Sequence, residues 1–154
     1  MPITRRIARP LIAGMFISGG IDALLHPDAK APRAQAVTEP ITDTLGIDQD
    51  PVTLVRVNGA VMVVGGVLLG TGRVPRLAAL ALAGSLIPTT LAGHRFWEID
   101  DPTQRQQQRI HFLKNLSMLG GLILAATDTE GRPSLSWRAK KRARRTLDAL
   151  PTGD

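Results

Sequence analysis

The side chains able to do chemistry gather in residues 93–121. The stretch opens Gly-His-Arg-Phe-Trp-Glu. It continues through a polar connection holding Asp100, Asp101, Arg105 and three glutamines at 106–108. It closes Arg-Ile-His-Phe-Leu-Lys-Asn-Leu-Ser-Met-Leu-Gly-Gly. His94, Glu98, His111, Lys114 and Asn115 offer proton exchange, ion pairing and hydrogen bonding, with Trp97 beside them. From Ile110 to Ala126 the chain is apolar except at His111, Lys114, Asn115 and Ser117. The opposite helix face and both flanks are apolar too, so this segment reads as a membrane span with an ionisable group inside it. Such a group costs roughly 2.5–3.5 kcal/mol at a helix centre, so it faces the bundle interior and finds a partner.

Several chemistries are excluded at once. There is no cysteine, hence no disulfide framework, thiolate nucleophile or Cys-ligated metal or cluster. A redox role then needs a bound cofactor or a partner. Of the three histidines, His94 and His111 form the one pair to consider for a metal or haem, and their spacing matches no ligand motif, so no metal site is assigned. No phosphate loop, triad or catalytic carboxylate pair is recognisable. No residue is assigned as catalytic.

Four spans must position these groups. The chain has 154 residues, 44% of them hydrophobic, and its mean hydropathy of +0.05 is modest. The averages hide blocks of apolar residues between charged segments. A window of about 19 residues finds spans near 7–25, 52–70, 75–95 and 110–127, which make 1–127 one all-α, integral membrane four-helix bundle. The first span is followed by a small-x-small pattern, Ala29-Lys30-Ala31, of the kind that ends a signal peptide; three further spans favour a retained helix. The connection over 26–51 is polar and acidic. Within it, Pro40 and Gly46 bracket a short helix whose Val37, Ile41 and Leu45 recur every four residues; packing against the bundle and simple solvation are both open. Gly66 and Gly70 form a small-xxx-small pair suited to close helix contact. Pro88 interrupts the third span, where Thr89 and Thr90 hydroxyls can satisfy freed backbone groups.

Charge sets an orientation. The net charge is +6 and the isoelectric point is about 11.0. The cations sit at both termini and at the Arg73/Arg76 turn, on one side of the membrane, which predicts N-in and C-in topology and argues against nucleic acid as the partner. Asp22, Arg56, Asn58, His94, Trp97, Glu98, His111, Lys114 and Asn115 then share the outer level. Lys114 is about 6 Å below Ile110 along its axis, and His111, Lys114, Asn115 and Met118 fall on one face by spacing. Asp22 and Glu98 are the expected counter-charges of Arg56 and Lys114. Two readings stay open: a salt-bridge network that sets helix register, or a pocket for a partner, a small polar molecule or a quinone head group.

The segment 128–154 is a basic cytoplasmic tail. Trp137, Arg138, Lys140, Lys141, Arg142, Arg144 and Arg145 carry no acid among them, and the pattern fits an amphipathic helix on an anionic inner leaflet. Each cation there contributes about 1 kcal/mol.

Four spans, a Gly-rich first helix, His-Arg-Phe-Trp-Glu and the His-x-x-Lys-Asn helix together resemble the DoxX family of bacterial membrane proteins. The resemblance runs over about residues 5–127 and is strongest over 94–121. It implies a four-helix bundle in a bacterial plasma membrane, associated with redox or oxidative-stress assemblies and, through DoxD-like subunits, with quinone. The family supplies no agreed catalytic residues, so a non-catalytic subunit with a membrane or peripheral protein partner is expected rather than a stand-alone enzyme. The rival expectations are a small-molecule carrier flexing at Pro88 with Lys114 as a charge switch, and a structural homo-oligomer joined through Gly66 and Gly70.

Overall fold

The computed structural model describes residues 3–45, 49–129, 137 and 141, the side chains of 41 and 43–45 excepted. Every regular element among them is helical: α1 (Ile3–Leu25), α2 (Pro27–Leu45), α3 (Pro51–Thr71), α4 (Pro75–Gly93), a single 3-10 turn (Phe96–Glu98) and α5 (Pro102–Thr127). Helices α1, α3, α4 with its following turn, and α5 are long and apolar enough to cross a membrane. Their outward faces carry large apolar side chains, with Leu11 and Leu124 each 73% exposed and Leu77 68%. Water would penalise such surfaces at about 25 cal/mol per Å²; lipid does not. The four-helix membrane bundle expected from hydropathy is therefore the observed fold.

Glycine sets the closest seam. At Gly20 an added Cβ would lie 2.7 Å from the Gly59 carbonyl oxygen, and at Gly59 it would lie 2.9 Å from that of Gly20. Further along the same antiparallel pair, a Cβ on Gly66 would meet Ile17 Cγ1 at 2.7 Å, and one on Gly70 would meet Ala13 Cβ at 3.3 Å. Gly66 and Gly70 thus hold α3 against α1 of the same chain, which corrects their assignment to a homo-oligomer interface. The backbones meet at Gly20 and Gly59 because neither has a side chain, and at Gly66 and Gly70 the missing side chains of α3 make room for Ile17 and Ala13 of α1.

Helix α3 ends where Gly72 adopts φ 69°, a left-handed conformation glycine takes without strain. The N–H groups of Gly72 and Arg73 bond back to Leu69 and Leu68 carbonyls at 3.1 and 3.2 Å. Pro75 then starts α4 at once. The core lies between α1, α3, α4 and α5 and comprises Phe16, Met62, Leu69, Ala79, Leu82, Leu86 and Leu122, among others.

At the end holding the start of α1 and the end of α5, Asp128 draws the two helices together. Arg5 donates to both its carboxylate oxygens, at 2.7 and 2.8 Å, and Arg9 donates at 3.4 Å. Arg9 is only 6% exposed, so this is a charge that the fold must neutralise. Arg76 Nε adds a bond to the Ala126 carbonyl at 2.8 Å, satisfying an acceptor that the end of α5 leaves unpaired.

Two elements exceed the sequence expectation. The acidic connection is not a loop with a short helix after Pro40: α2 runs from Pro27 to Leu45 through Pro32 and Pro40. Pro27 and Asp28 suit a helix start, and alanines at 29, 31, 34 and 36 sustain it. It packs mainly on α3 and α4, with Ala31 buried and Val37 half-buried; Gly46 lies outside the described residues. Likewise α5 begins at Pro102, not near residue 110. Asp101 caps it, accepting from Gln104 N–H at 2.7 Å, and its polar first turns extend beyond the apolar stretch that hydropathy detects. Its 26 residues reach about 39 Å at 1.5 Å each, longer than the roughly 30 Å hydrocarbon core.

Candidate polar site at one end of the bundle

The far ends of the spans, away from Arg5 and Asp128, bring three polar groups together in different ways. The innermost is a hydrogen-bonded lattice between helices. Ser85 Oγ donates to Asn58 Oδ1 at 2.7 Å, Asn58 Nδ2 donates to Thr89 Oγ1 at 3.1 Å, and Thr89 Oγ1 donates to the Ser85 carbonyl at 2.7 Å. Asn115 Nδ2, buried, donates to Thr90 Oγ1 at 3.0 Å, and Thr90 donates to the Leu86 carbonyl at 2.7 Å. These bonds tie α3 and α5 to α4, and among the described residues no buried side-chain nitrogen or oxygen lacks a partner. The hydroxyls that accompany Pro88 therefore serve two purposes: each takes a carbonyl of the preceding turn and each accepts from a neighbouring helix.

Substitution of Asn115 by leucine removes one interhelical bond while Thr90 keeps its carbonyl acceptor. The expected loss is about 1 kcal/mol, measured as the shift in reversible denaturant unfolding in micelles. A loss several times larger would mean that Asn115 holds more than Thr90.

Nearer the rim, His94 and His111 stack face to face, with ring centroids 5.3 Å apart and 23° between planes. The Gln108 carbonyl oxygen accepts from His94 Nδ1 at 2.7 Å, which leaves Nε2 as the uncommitted nitrogen. His94 is half-buried and His111 exposed. Phe96, Trp97 and Phe112 form an edge-to-face trio at 5.2, 5.5 and 5.9 Å. Such pairs contribute about 0.5–1.5 kcal/mol each beyond burial, and these fasten the α4–α5 connection over the first apolar turns of α5.

The third group is ionic, and its pairing departs from expectation. Asp22 pairs with His26 at 3.1 Å and Lys30 at 2.5 Å, not with Arg56. Glu98 pairs with Arg95 at 3.3 Å, not with Lys114. Both acids bond to residues close in sequence, Asp22 across the elbow at His26 and Glu98 within the 3-10 turn. Arg56 and Lys114 are exposed and make no ion pair or hydrogen bond among the described residues. The four α5 residues expected on one face by spacing also divide by depth: Asn115 is buried, Met118 half-buried, His111 and Lys114 exposed. Ser85 and Gln108 were not legible as site residues. The signal for Ser85 was its place one turn before Thr89, inside an apolar span.

Of the basic tail, Trp137 and Lys141 are described; both are exposed, and Lys141 Nζ lies 4.7 Å over the indole ring, a cation–π contact. Arg138, Lys140, Arg142, Arg144 and Arg145 lie outside the described residues.

A family model described as DoxX matches residues 5–95, from the first turn of α1 through the end of α4. No curated protein and no solved structure matches. The match ends at Arg95, so residues 96–121, which carry most of the resemblance in sequence pattern, lie beyond it.

Proposed function

This chain belongs to the DoxX family, and from that premise we propose that it is a multi-pass subunit of a bacterial plasma membrane that anchors or supports a redox assembly. Its polar end docks a protein partner or a quinone head group. The observation that carries this reading is the stacked His94–His111 pair with its Gln108 bond, set at the rim of a bundle whose flanks are otherwise apolar. Imidazole and amide groups at that depth can hydrogen-bond a quinone carbonyl, while the exposed apolar flanks accept an isoprenoid tail or a partner's span. In this reading the N- and C-termini are cytoplasmic, the histidine pair faces outward, and the basic tail rests on the anionic inner leaflet.

The carrier alternative retains Pro88 within an unbroken α4 and Lys114 as a mobile charge; nothing specific favours it over the subunit reading. Native mass spectrometry from the host membrane in mild detergent tests the proposal. A stoichiometric partner or a quinone mass is expected, and His94→Ala with Lys114→Leu should remove most of it. Retention unchanged in the double variant would disqualify the polar end as the working site. Because the chain has no cysteine, single cysteines at Arg33 and Arg73 report topology without background. An impermeant maleimide should label the first and spare the second in intact cells.

A further inference from the structure

The four spans do not close into a ring. Helix α1 packs along α3, α3 on α4 and α4 on α5, whereas α1 and α5 scarcely touch. What joins those two lies toward Asp128: the bonds of Arg5 and Arg9 to its carboxylate, and Ile12, whose Cδ1 would be 3.3 Å from a Cβ on Gly121. The two helices run antiparallel. Two turns from the Ile12–Gly121 contact, toward the other end, stand Gly19 on α1 and Lys114 on α5, each within about 20° of the direction its helix presents at that contact. Gly19 thus faces Lys114 across the opening. It contributes no side chain there, and a Cβ on it would be 3.1 Å from the tip of Met62 behind it. Lys114 is exposed and makes no hydrogen bond or ion pair among the described residues. The chain's own acids do not serve it. Asp22 is bonded to His26 and Lys30. Glu98 is bonded to Arg95 and follows Trp97, which meets Phe112, about 200° around α5 from Lys114. Asp100 and Asp101 precede a helix start about 18 Å along the axis from Lys114, beyond its reach.

We infer that the open side between α1 and α5 seats a membrane span of a partner protein, and that the partner inserts an aspartate or glutamate between Gly19 and Lys114. A cation on an apolar span is costly alone and is matched by an opposite charge at the same depth. A carboxylate at that depth arrives on a helix, because the charged head of a lipid stays at the membrane surface. Gly19 supplies the room: where α1 has no side chain, a knob from a neighbouring helix can enter and the backbones can approach. This deepens the subunit reading and rests on it, naming where the partner lies and what it carries.

The test places the photo-cross-linker benzoylphenylalanine at Ser117, exposed beside Lys114, in the full chain in host membranes, and sequences the adduct. The same label at Leu80, 58% exposed on α4, is the control. The Ser117 label should join an apolar segment of another protein that contains Asp or Glu, and the Leu80 label should not. Lys114→Met should lower the adduct at least about tenfold, as expected when one member of a desolvated charge pair is truncated. Lys114→Glu should abolish it, and changing the captured acid to lysine should restore it. Lys114 is exposed, so gel filtration and circular dichroism should show an intact fold in both variants. Adducts with lipid or a second copy of this chain only, an adduct indifferent to Lys114→Met, or a charge exchange that restores nothing would each overturn the proposal. A stoichiometric partner seen by native mass spectrometry without a Ser117 adduct would remove this docking side and leave the subunit reading; no partner by either method would remove both.

Discussion

Gly20→Leu should separate α1 from α3 and lower stability by roughly 3 kcal/mol, the upper part of the overpacking range. Even the first atom of the new side chain finds no room: it would sit 2.7 Å from the Gly59 carbonyl oxygen and 2.9 Å from both Met62 Cβ and Val63 Cγ2. Side-chain ends can rotate away, but a carbonyl inside a hydrogen-bonded helix moves only with its helix. The strain therefore passes to the whole seam, which includes the Gly66 and Gly70 contacts. Gly14→Leu is the control, since nothing lies within 4 Å of a Cβ there. Both variants change helix propensity in the same direction, so their difference isolates the contact. Denaturant unfolding in micelles measures it, and equal stability of the two variants would contradict the seam.

The second large effect is expected at Asp128. Asp128→Ala removes the carboxylate shared by Arg5 and Arg9, and it does so beside a guanidinium almost entirely out of solvent. Breaking a fully buried pair costs about 3–5 kcal/mol. Arg5 and Asp128 are about a quarter and a fifth exposed, at 24% and 22%, so about 2 kcal/mol is the appropriate expectation. Asp128→Asn should lose less, because the amide oxygen still accepts from Arg5. A double-mutant cycle with Arg5→Ala separates the pair from simple loss of packing; additive single effects would mean that the pair contributes nothing of its own.

Much of the architecture was legible because it depends on sums over local sequence. The four spans follow from runs of Leu, Val, Ile, Ala and Gly long enough to cross lipid. The α3–α4 turn follows from Thr-Gly-Arg-Val-Pro, where glycine permits the left-handed residue and proline starts the next helix. Polar first turns were less visible. Hydropathy marks where α5 enters the apolar phase, but Asp101 and Pro102 mark where the helix begins, and these signals differ by about two turns. Helix α2 was read as a polar, acidic connection with a short helix begun at Pro40, whereas packing on α3 and α4 carries one helix from Pro27 through both Pro32 and Pro40.

The sequence alone determined that this chain is a bundle of four membrane helices, with polar and charged groups set at the ends of its apolar spans. Partition between water and lipid is a property of each segment by itself, which is why it could be read. Tertiary structure decided who meets whom: Asp22 with Lys30, Glu98 with Arg95, Asn115 with Thr90, His94 with His111, and Asp128 with two distant arginines. Those choices depend on how each helix is rotated and how closely the glycine seam lets α1 and α3 approach. Rotation and approach are set by contacts between segments far apart in the chain, and no local pattern of residues contains them.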